Sequence, residues 1–525
     1  MGEPDEEPSQ PTFEQYTTAD GLTAIKEGQA EILFSNANDV FYNPVQEFNR
    51  DMSVAAINVW SEMYLQEKRE AATATRKRKQ DQNAVPLPVP DGVAILEGLS
   101  ATGLRSIRYA KEIPNAKSIT ANDFDANAVE TIKRNVNHNG CEDKIIPSLG
   151  DACAVMYQKL FANEKYDMID LDPYGSAAPF IDAAVQAVAD GGLLAVTCTD
   201  MAVLAGSQPD SCWAKYGGMP IPNAPYCHEM GLRIALHTIQ TSAARHKRYI
   251  VPLASCSIDF YIRMFVRVYT SPQEVKKLAS KTAMVYHCNG CRSFVTQPIG
   301  KYVENGNSVK GGPANGPLAA QACGFCETKT RIGGPFWAGP LHNDVYLQKV
   351  IQHVKDNKDK YKTNGRMLGM LTVISEELET PFYYSLSSLS GSLRCTSPPL
   401  LTVFSALLHK GYKVSVSHAC SGSIKTNAPT SVVWDVMRGW VKFHPVKTKS
   451  GEEQSVSAKL LAVEPSFEAN FEPHPEMEAP SRKIKLVRYQ VNPTKNWGPK
   501  ARAKKRAIDE GKNDGDAESD QKKQP

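Results

Sequence analysis

From Val93 to Val268, short apolar runs recur with helix-patterned segments between them, and no other feature restricts the fold as tightly. Val93-Ala-Ile-Leu96, Ser118-Ile-Thr-Ala121, Lys144-Ile-Ile146, Met168-Ile-Asp-Leu171 and Leu193-Leu-Ala-Val196 have the length and composition of buried strands. Between them, Leu104, Ile107 and Ala110, then Val129, Ile132 and Val136, repeat at helical spacing, and Ala177 to Ala189 reads as another helix. Strands alternating with helices call for a parallel sheet with right-handed crossovers. Two more strands, near Tyr249–Val251 and Phe260–Val268, are close enough in sequence to pair antiparallel.

The rest divides by composition. Residues 1–30 read as a weakly ordered N-terminal segment, and 31–270 as the α/β domain. Within that domain, about 67–91 reads as an exposed insertion, charged and carrying Pro86, Pro88 and Pro90. Residues 271–470 form a C-terminal domain, with a Cys-bearing region at 284–330 and a hairpin near Val414 to Lys425. Within the Cys region, Gly- and Asn-rich Asn305 to Pro317 reads as a loop. Residues 471–525 read as a basic, largely disordered tail. No apolar run approaches the roughly 18 residues of a membrane span, and no membrane association is expected. Net charge is only +3, but Arg76-Lys-Arg-Lys79 and Lys500-Ala-Arg-Ala-Lys-Lys-Arg506 are concentrated basic runs. Such runs attract phosphate or act as nuclear-import signals. The nucleus is the expected compartment, with a mitochondrial or cytoplasmic pool as the alternative.

In an open α/β sheet, ligands sit at the carboxyl ends of the strands. Glu97-Gly-Leu-Ser-Ala-Thr-Gly103 follows the first strand, although Ser100 and Ala101 stand where glycine is more common. Arg105 lies just inside the next helix and could contact a carboxylate. Asp123 ends the second strand, where an acidic side chain accepts hydrogen bonds from ribose hydroxyls. Gly150-Asp151-Ala152 follows the third, where an adenine amine is often read. A lone glycine turn is weak evidence, but loop, Asp123 and Asp151 at successive strand ends point to a nucleotide-type cofactor.

Asp170-Leu-Asp-Pro-Tyr-Gly-Ser176 follows the fourth strand and resembles an amine-methylating turn. A base amine is a poor nucleophile because its lone pair is delocalised into the ring. The Asp172 carboxylate and the Pro173 carbonyl can accept its N–H groups, while Tyr174 stacks on the extruded base. Cys198 follows the fifth strand, where cytosine-5 methyltransferases carry a nucleophile. The partner segment those enzymes need is absent, so Cys198 reads as a small buried residue. Cys288-Asn-Gly-Cys291 and Cys323-Gly-Phe-Cys326 are two knuckles whose four thiolates suit a structural Zn2+ in a zinc-ribbon-like site, disulfides being the alternative. His287 is a possible substitute ligand. His228, His237 and His246 lack metalloprotease spacing.

Together these segments resemble the tRNA (guanine-26-N2)-dimethyltransferase family. The match extends to Val40-Phe-Tyr-Asn-Pro44 with Asn49-Arg-Asp51, and to Gly103-Leu-Arg-Ser-Ile-Arg108. It also takes in Tyr226-Cys-His-Glu-Met230, Pro381-Phe-Tyr-Tyr384 and Gly422-Ser-Ile-Lys-Thr426. The resemblance implies an α/β fold: a class I, Rossmann-like AdoMet-dependent methyltransferase domain followed by a family-specific α+β domain that helps hold tRNA. It implies methyl transfer from S-adenosyl-L-methionine to the N2 amine of guanine 26 of tRNA, giving N2,N2-dimethylguanosine. By position it places Arg50, Arg105, Asp123, Asp151 and Ala152 around AdoMet, Asp172 and Pro173 at the amine, and Phe41 and Tyr174 against the base. The partner implied is tRNA, and no obligate protein partner is inferred. A non-catalytic RNA-binding protein on the same fold is the competing reading, and AdoMet binding discriminates the two.

Overall fold

The computed structural model describes residues 14–18, 21–34, 42–78, 90–306, 308–446 and 454–489. Three antiparallel strands open it: β1 (Glu14–Thr17), β2 (Thr23–Glu27) and β3 (Ala30–Phe34). Residues 14–18 and 21–30 therefore fold, against the expectation of weak order. Gly28, at φ 56°, turns β2 into β3, and a Cβ there would meet Glu112 Oε1 at 2.4 Å. Side chains of the following helices cap the exposed edge of β3. Leu33 N donates to Asn135 Oδ1 and Glu31 N to Asn139 Oδ1, both at 3.0 Å, as an edge strand requires.

Helix α1 (Glu47–Arg78) follows and runs through much of the segment expected as an excursion. Glu67 pairs with Arg267 at 2.6 and 2.8 Å, and Ala72 is buried, so residues 67–72 belong to the packed part of the helix. Of that expected insertion, 79–89 lie outside the described residues.

The alternation then builds a seven-stranded sheet of β4 (Val93–Glu97), β5 (Ala116–Asp123), β6 (Ile145–Leu149), β7 (Tyr166–Leu171), β8 (Val188–Cys198), β9 (Arg248–Ile258) and β10 (Tyr261–Thr270). Helices α2 (Leu104–Glu112), α3 (Ala126–His138), α4 (Ala152–Phe161) and α5 (Ile181–Ala187) link the parallel strands. The order is β6-β5-β4-β7-β8-β10-β9, with β10 antiparallel to both neighbours. The chain steps outward from β4 to β6 and returns to β7 on the other side of β4. The carboxyl ends of β4, β5 and β7 therefore border one crevice.

The sheet separates two apolar cores, and residues beyond 270 complete both. On one face, α1, α2 and α3 pack with helices Asp344–Asp356 and Asn364–Glu376. On the other, α4, α5 and helix Cys227–Arg245 pack with Phe336, Trp337 and Phe382. A third core joins the four cysteines to helices Leu386–Leu393, Leu400–His409 and Thr430–Phe443. The expected loop at 305–317 contains strand Ser308–Pro313, paired with Gly300–Asn305. Gly311 is required by close packing: a Cβ there would stand 2.6 Å from Lys276 O. The hairpin expected near Val414 is Val414–Ser417 with Cys420–Thr426.

The tail does not become free at 471. Tyr489 donates to Ser417 O at 2.8 Å, and Val487 O lies so close to Gly369 that no side chain fits there. Residues 1–13 and 490–525, including the Lys500–Arg506 run, lie outside the described residues. Among those described, no helix is long and apolar enough to cross a membrane.

Candidate active site

The Glu97–Gly103 loop leaves β4 across the crevice. Gly98 N donates to Asp170 O at 3.0 Å and Ser100 N to Asn122 O at 2.8 Å, tying the loop to β7 and β5. Ala101 adopts φ 48° where the sequence lacks the usual glycine. The left-handed conformation costs a non-glycine residue about 1–3 kcal/mol. Here the Ala101 amide is held by Asp123 Oδ2 at 2.9 Å. Asp123 Oδ1 accepts from Asp125 N at 3.0 Å, so each oxygen keeps lone-pair capacity for a hydroxyl.

Asn122 Nδ2 bridges Gly98 O (3.1 Å) and Gly150 O (2.9 Å), while its buried Oδ1 has no partner among the described residues. Asp151 caps α4 through Ala154 N at 3.0 Å and is exposed; Ala152 is buried beside Gly98. Phe124 and Leu149, at the ends of β5 and β6, are large apolar side chains exposed by 70% and 60%. Neither was picked out from the sequence. An aromatic directly after the acidic strand end was the available signal.

A buried ionic cluster supports the Asp172 turn. Arg263, on β10, donates to Asp170 Oδ1 at 2.9 Å and Oδ2 at 2.7 Å, to Ser53 Oγ at 2.9 Å and to Thr197 Oγ1 at 2.9 Å. Tyr109 OH reaches Asp170 at 2.5 Å. Burial would raise the Asp170 carboxyl, but the Arg263 and Arg105 guanidiniums outweigh it and hold it below its usual range. Arg105 extends this cluster to Asp172: its Nη1 bonds Ser53 Oγ at 3.0 Å and its Nη2 bonds Asp172 Oδ2. Asn49 Nδ2 reaches the same oxygen at 3.4 Å. Asp172 Oδ1 has no hydrogen bond from the described residues. One carboxylate oxygen is fixed and the other is open. Nearby, burial pushes the Glu97 carboxyl up to about 7, despite Arg105 and Ser106 beside it.

Pro173 is buried, and Gly175, at φ 89°, lets the turn pair with Thr199 in both directions, at 2.8 and 2.9 Å. The Tyr174 ring is 58% exposed on the crevice side of that turn. Cys198 is fully buried, and burial pushes its thiol up to about 12, which suits a core residue and not a nucleophile.

Two expected contacts have a different setting from the one anticipated. Arg105 was expected on a cofactor carboxylate, and here it grips Asp172. Arg50 is buried and committed to Glu27, with Nε at 2.6 Å and Nη2 on the other oxygen, and it bonds Asn43 O at 3.1 Å. Burial alone would raise Glu27, but Arg50 and Arg108 bring it down to about 2. Phe41 lies outside the described residues. Asn49, Ser53 and Arg263 were not singled out in the sequence.

Away from the crevice, the Sγ atoms of Cys288, Cys291, Cys323 and Cys326 all lie within 4.8 Å of one another, and none forms a disulfide. Cys288–Cys326 is 3.4 Å and Cys291–Cys323 3.6 Å. A tetrahedron of ~2.3 Å zinc–sulfur bonds has edges of about 3.8 Å, so the quartet fits the ion. His287 instead bonds Tyr226 OH at 3.0 Å.

A family model described as N2,N2-dimethylguanosine tRNA methyltransferase matches residues 21–438. A tRNA (guanine(26)-N(2))-dimethyltransferase of Schizosaccharomyces pombe is 47% identical over 93% of this chain and 94% of its own length. A Saccharomyces cerevisiae relative of the same name, designated mitochondrial, is 40% identical over 91% and 92%. The structure of Trm1 from Pyrococcus horikoshii with S-adenosyl-L-methionine superposes with a TM-score of 0.63 at 26% identity, covering 78% of this chain and 98% of that one.

Proposed function

The chain belongs to the N2,N2-dimethylguanosine tRNA methyltransferase family, and we propose that it methylates the N2 amine of guanine 26 in tRNA from AdoMet, giving N2,N2-dimethylguanosine. The observation that carries the chemistry is Asp172, with one oxygen clamped by Arg105 and the other open at the mouth of the crevice. AdoMet, when bound, supplies a methyl group on a sulfonium leaving group. The crevice fits it. Asp123 offers lone pairs to the ribose, Phe124 and Leu149 offer apolar faces to the adenine, and Asp151 with Ala152 reads the adenine edge. Arg105 is assigned to the methionyl carboxylate, which then shares it with Asp172, and Arg50, already held by Glu27, is the second candidate there.

Asp172 Oδ1 and the Pro173 carbonyl accept the two N–H groups of the guanine amine and turn its lone pair toward the methyl. Tyr174 stacks on the base, and Phe41 is assigned its other face. As the N–C bond forms and the C–S bond breaks, the amine becomes cationic and Asp172 Oδ1 takes its proton. The monomethylated amine keeps one N–H, so the same acceptors can hold it for a second transfer. Holding the reactants in this geometry can supply about 7–11 kcal/mol of the barrier.

Purified protein is expected to convert guanosine 26 of tRNA to the dimethylated nucleoside, read by mass spectrometry. Asp172→Asn keeps the size and loses the base. Its turnover should fall by about 10²–10⁴-fold while tRNA affinity holds. Normal turnover in that variant would remove Asp172 from the mechanism.

We also assign structural Zn2+ to the cysteine quartet, tRNA contact to the domain beyond 270, and a nuclear location from the basic runs. The mitochondrial relative supports an organellar pool as the alternative, which imaging of a tagged chain distinguishes.

A further inference from the structure

We propose that a second pocket, beside Asp172 but separate from the cofactor crevice, seats a nucleotide of the tRNA next to the methylated guanine. The inference rests on the functional reading above and names a contact that reading does not contain.

The cavity measures about 260 Å³ and lies between the β9–β10 turn, helix Asn364–Glu376, the 414–426 hairpin and the docked segment ending at Tyr489. That is just below the roughly 300–1,000 Å³ of sites for whole small molecules, a size suited to one nucleotide. Its place is fixed by a short chain of contacts. The Arg366 guanidinium lies 4.1 Å from the centroid of the Phe48 ring, and Phe48 precedes Asn49, whose amide reaches Asp172 at 3.4 Å. β10 begins where β8 ends, with Ile262 opposite Cys198, so the β9–β10 turn that lines the pocket stands at the sheet edge that carries the Asp172 turn.

The lining calls for an anion with a flat apolar neighbour. Arg366 spends only Nη2, on both oxygens of Asp259 at 2.9 Å. Its Nε and Nη1 have no hydrogen-bond partner among the described residues. Arg488 Nη2 is tied to Ser481, while its Nε is buried without a partner among the described residues. A buried guanidinium N–H left unpaired is costly, and a phosphate oxygen would satisfy it. The His228 ring likewise makes no hydrogen bond to the described residues. Two guanidiniums against the one Asp259 carboxylate leave the pocket cationic.

Met370 and the Tyr489 ring supply the apolar wall, and Tyr489 is held by its hydroxyl on Ser417 O at 2.8 Å. His418 cannot contribute, because Glu377 at 2.6 Å and Ser257 N at 3.0 Å occupy both ring nitrogens. A cationic edge against an aromatic wall is how single-stranded nucleotides are held. An RNA with one base extruded to Asp172 carries its flanking nucleotides past this opening.

The full chain is tested with transcribed tRNA in binding titrations at several salt concentrations, with AdoMet affinity measured by calorimetry. Arg488→Gln removes the cation and Met370→Trp fills the cavity. Each is expected to weaken tRNA binding about tenfold with AdoMet affinity unchanged. Arg488→Gln should also lower the salt slope by about one. Unchanged tRNA affinity and slope in variants that still bind AdoMet would overturn the proposal. So would loss of guanosine 5′-monophosphate binding in Arg488→Gln with tRNA binding intact, which would make the pocket a free-nucleotide site. If Met370→Trp loses AdoMet binding, Arg488→Gln, a change at a half-buried side chain, decides alone. Because the readout is binding, it stands apart from the functional reading, which fails instead if the wild-type protein leaves guanosine 26 unmodified.

Discussion

Asp170 and Arg263 show how the Asp172 turn is supported from within the core. Both are fully buried, and each would be costly alone: removing one partner of a buried pair costs about 3–5 kcal/mol. Arg263→Met is therefore expected to destabilise the fold by about that amount, measured by urea denaturation. Adding Asp170→Leu to it should recover much of the loss, because the stranded carboxylate is then gone. A single variant as stable as wild type would show that Arg105 and Tyr109 suffice for Asp170. Sequence reading could not assign these two residues. Asp170 in Met-Ile-Asp-Leu and Arg263 in Tyr-Ile-Arg-Met are polar interruptions of apolar strands, and strand register alone brings them together.

At the scale of elements, the cysteine knuckles join the ribbon to the rest of the C-terminal half. Cys291 Sγ touches Ser293 Oγ at 3.1 Å, and Trp434 Nε1 donates to that hydroxyl at 2.8 Å. Bound zinc would supply folding free energy to this packed region. The purified chain should carry about one zinc. Chelation, or Cys291→Ser, should release it and lower the melting temperature by several degrees, with AdoMet affinity retained in the distant crevice. Full stability in a zinc-free protein would return the quartet to four reduced core cysteines. The knuckles were legible because a Cys-x-x-Cys spacing is local. The Ser308–Pro313 strand was not, because its glycines suggest a loop until the neighbouring backbone at Lys276 is seen.

Across the whole molecule, one ionic network joins the N-terminal sheet, α1, α2 and the C-terminal half. Glu27 binds Arg50 and Arg108, Arg108 binds Asp51, and Asp51 accepts from Thr363 N and Oγ1 at 3.1 and 2.7 Å. The Glu27 carboxyl sits at about 2, against about 4.5 when unpaired. A depressed folded value means its stabilisation is complete above pH 4.5 and is lost as pH falls from 4.5 toward 2. Over that window the loss is on the order of 3 kcal/mol. The difference in urea midpoint between wild type and Glu27→Gln should be constant from pH 7 to 5 and then shrink. A constant difference down to pH 3 would show that Glu27 titrates normally.

The sequence by itself determined the parallel sheet, the loop and acidic residues at its strand ends, the Asp172 turn and the cysteine quartet. Each is a local pattern: period, turn chemistry, or spacing along the chain. It also carried the hairpin at Gly28, as alternating strands around a glycine, although that signal was passed over. Only the tertiary structure decided that Arg105 grips Asp172, that Arg50 is neutralised by Glu27, and that residues beyond 270 close both cores. Those pairings join residues up to several hundred positions apart. A buried charge chooses its partner by the geometry of packed elements, which no pattern in the chain records.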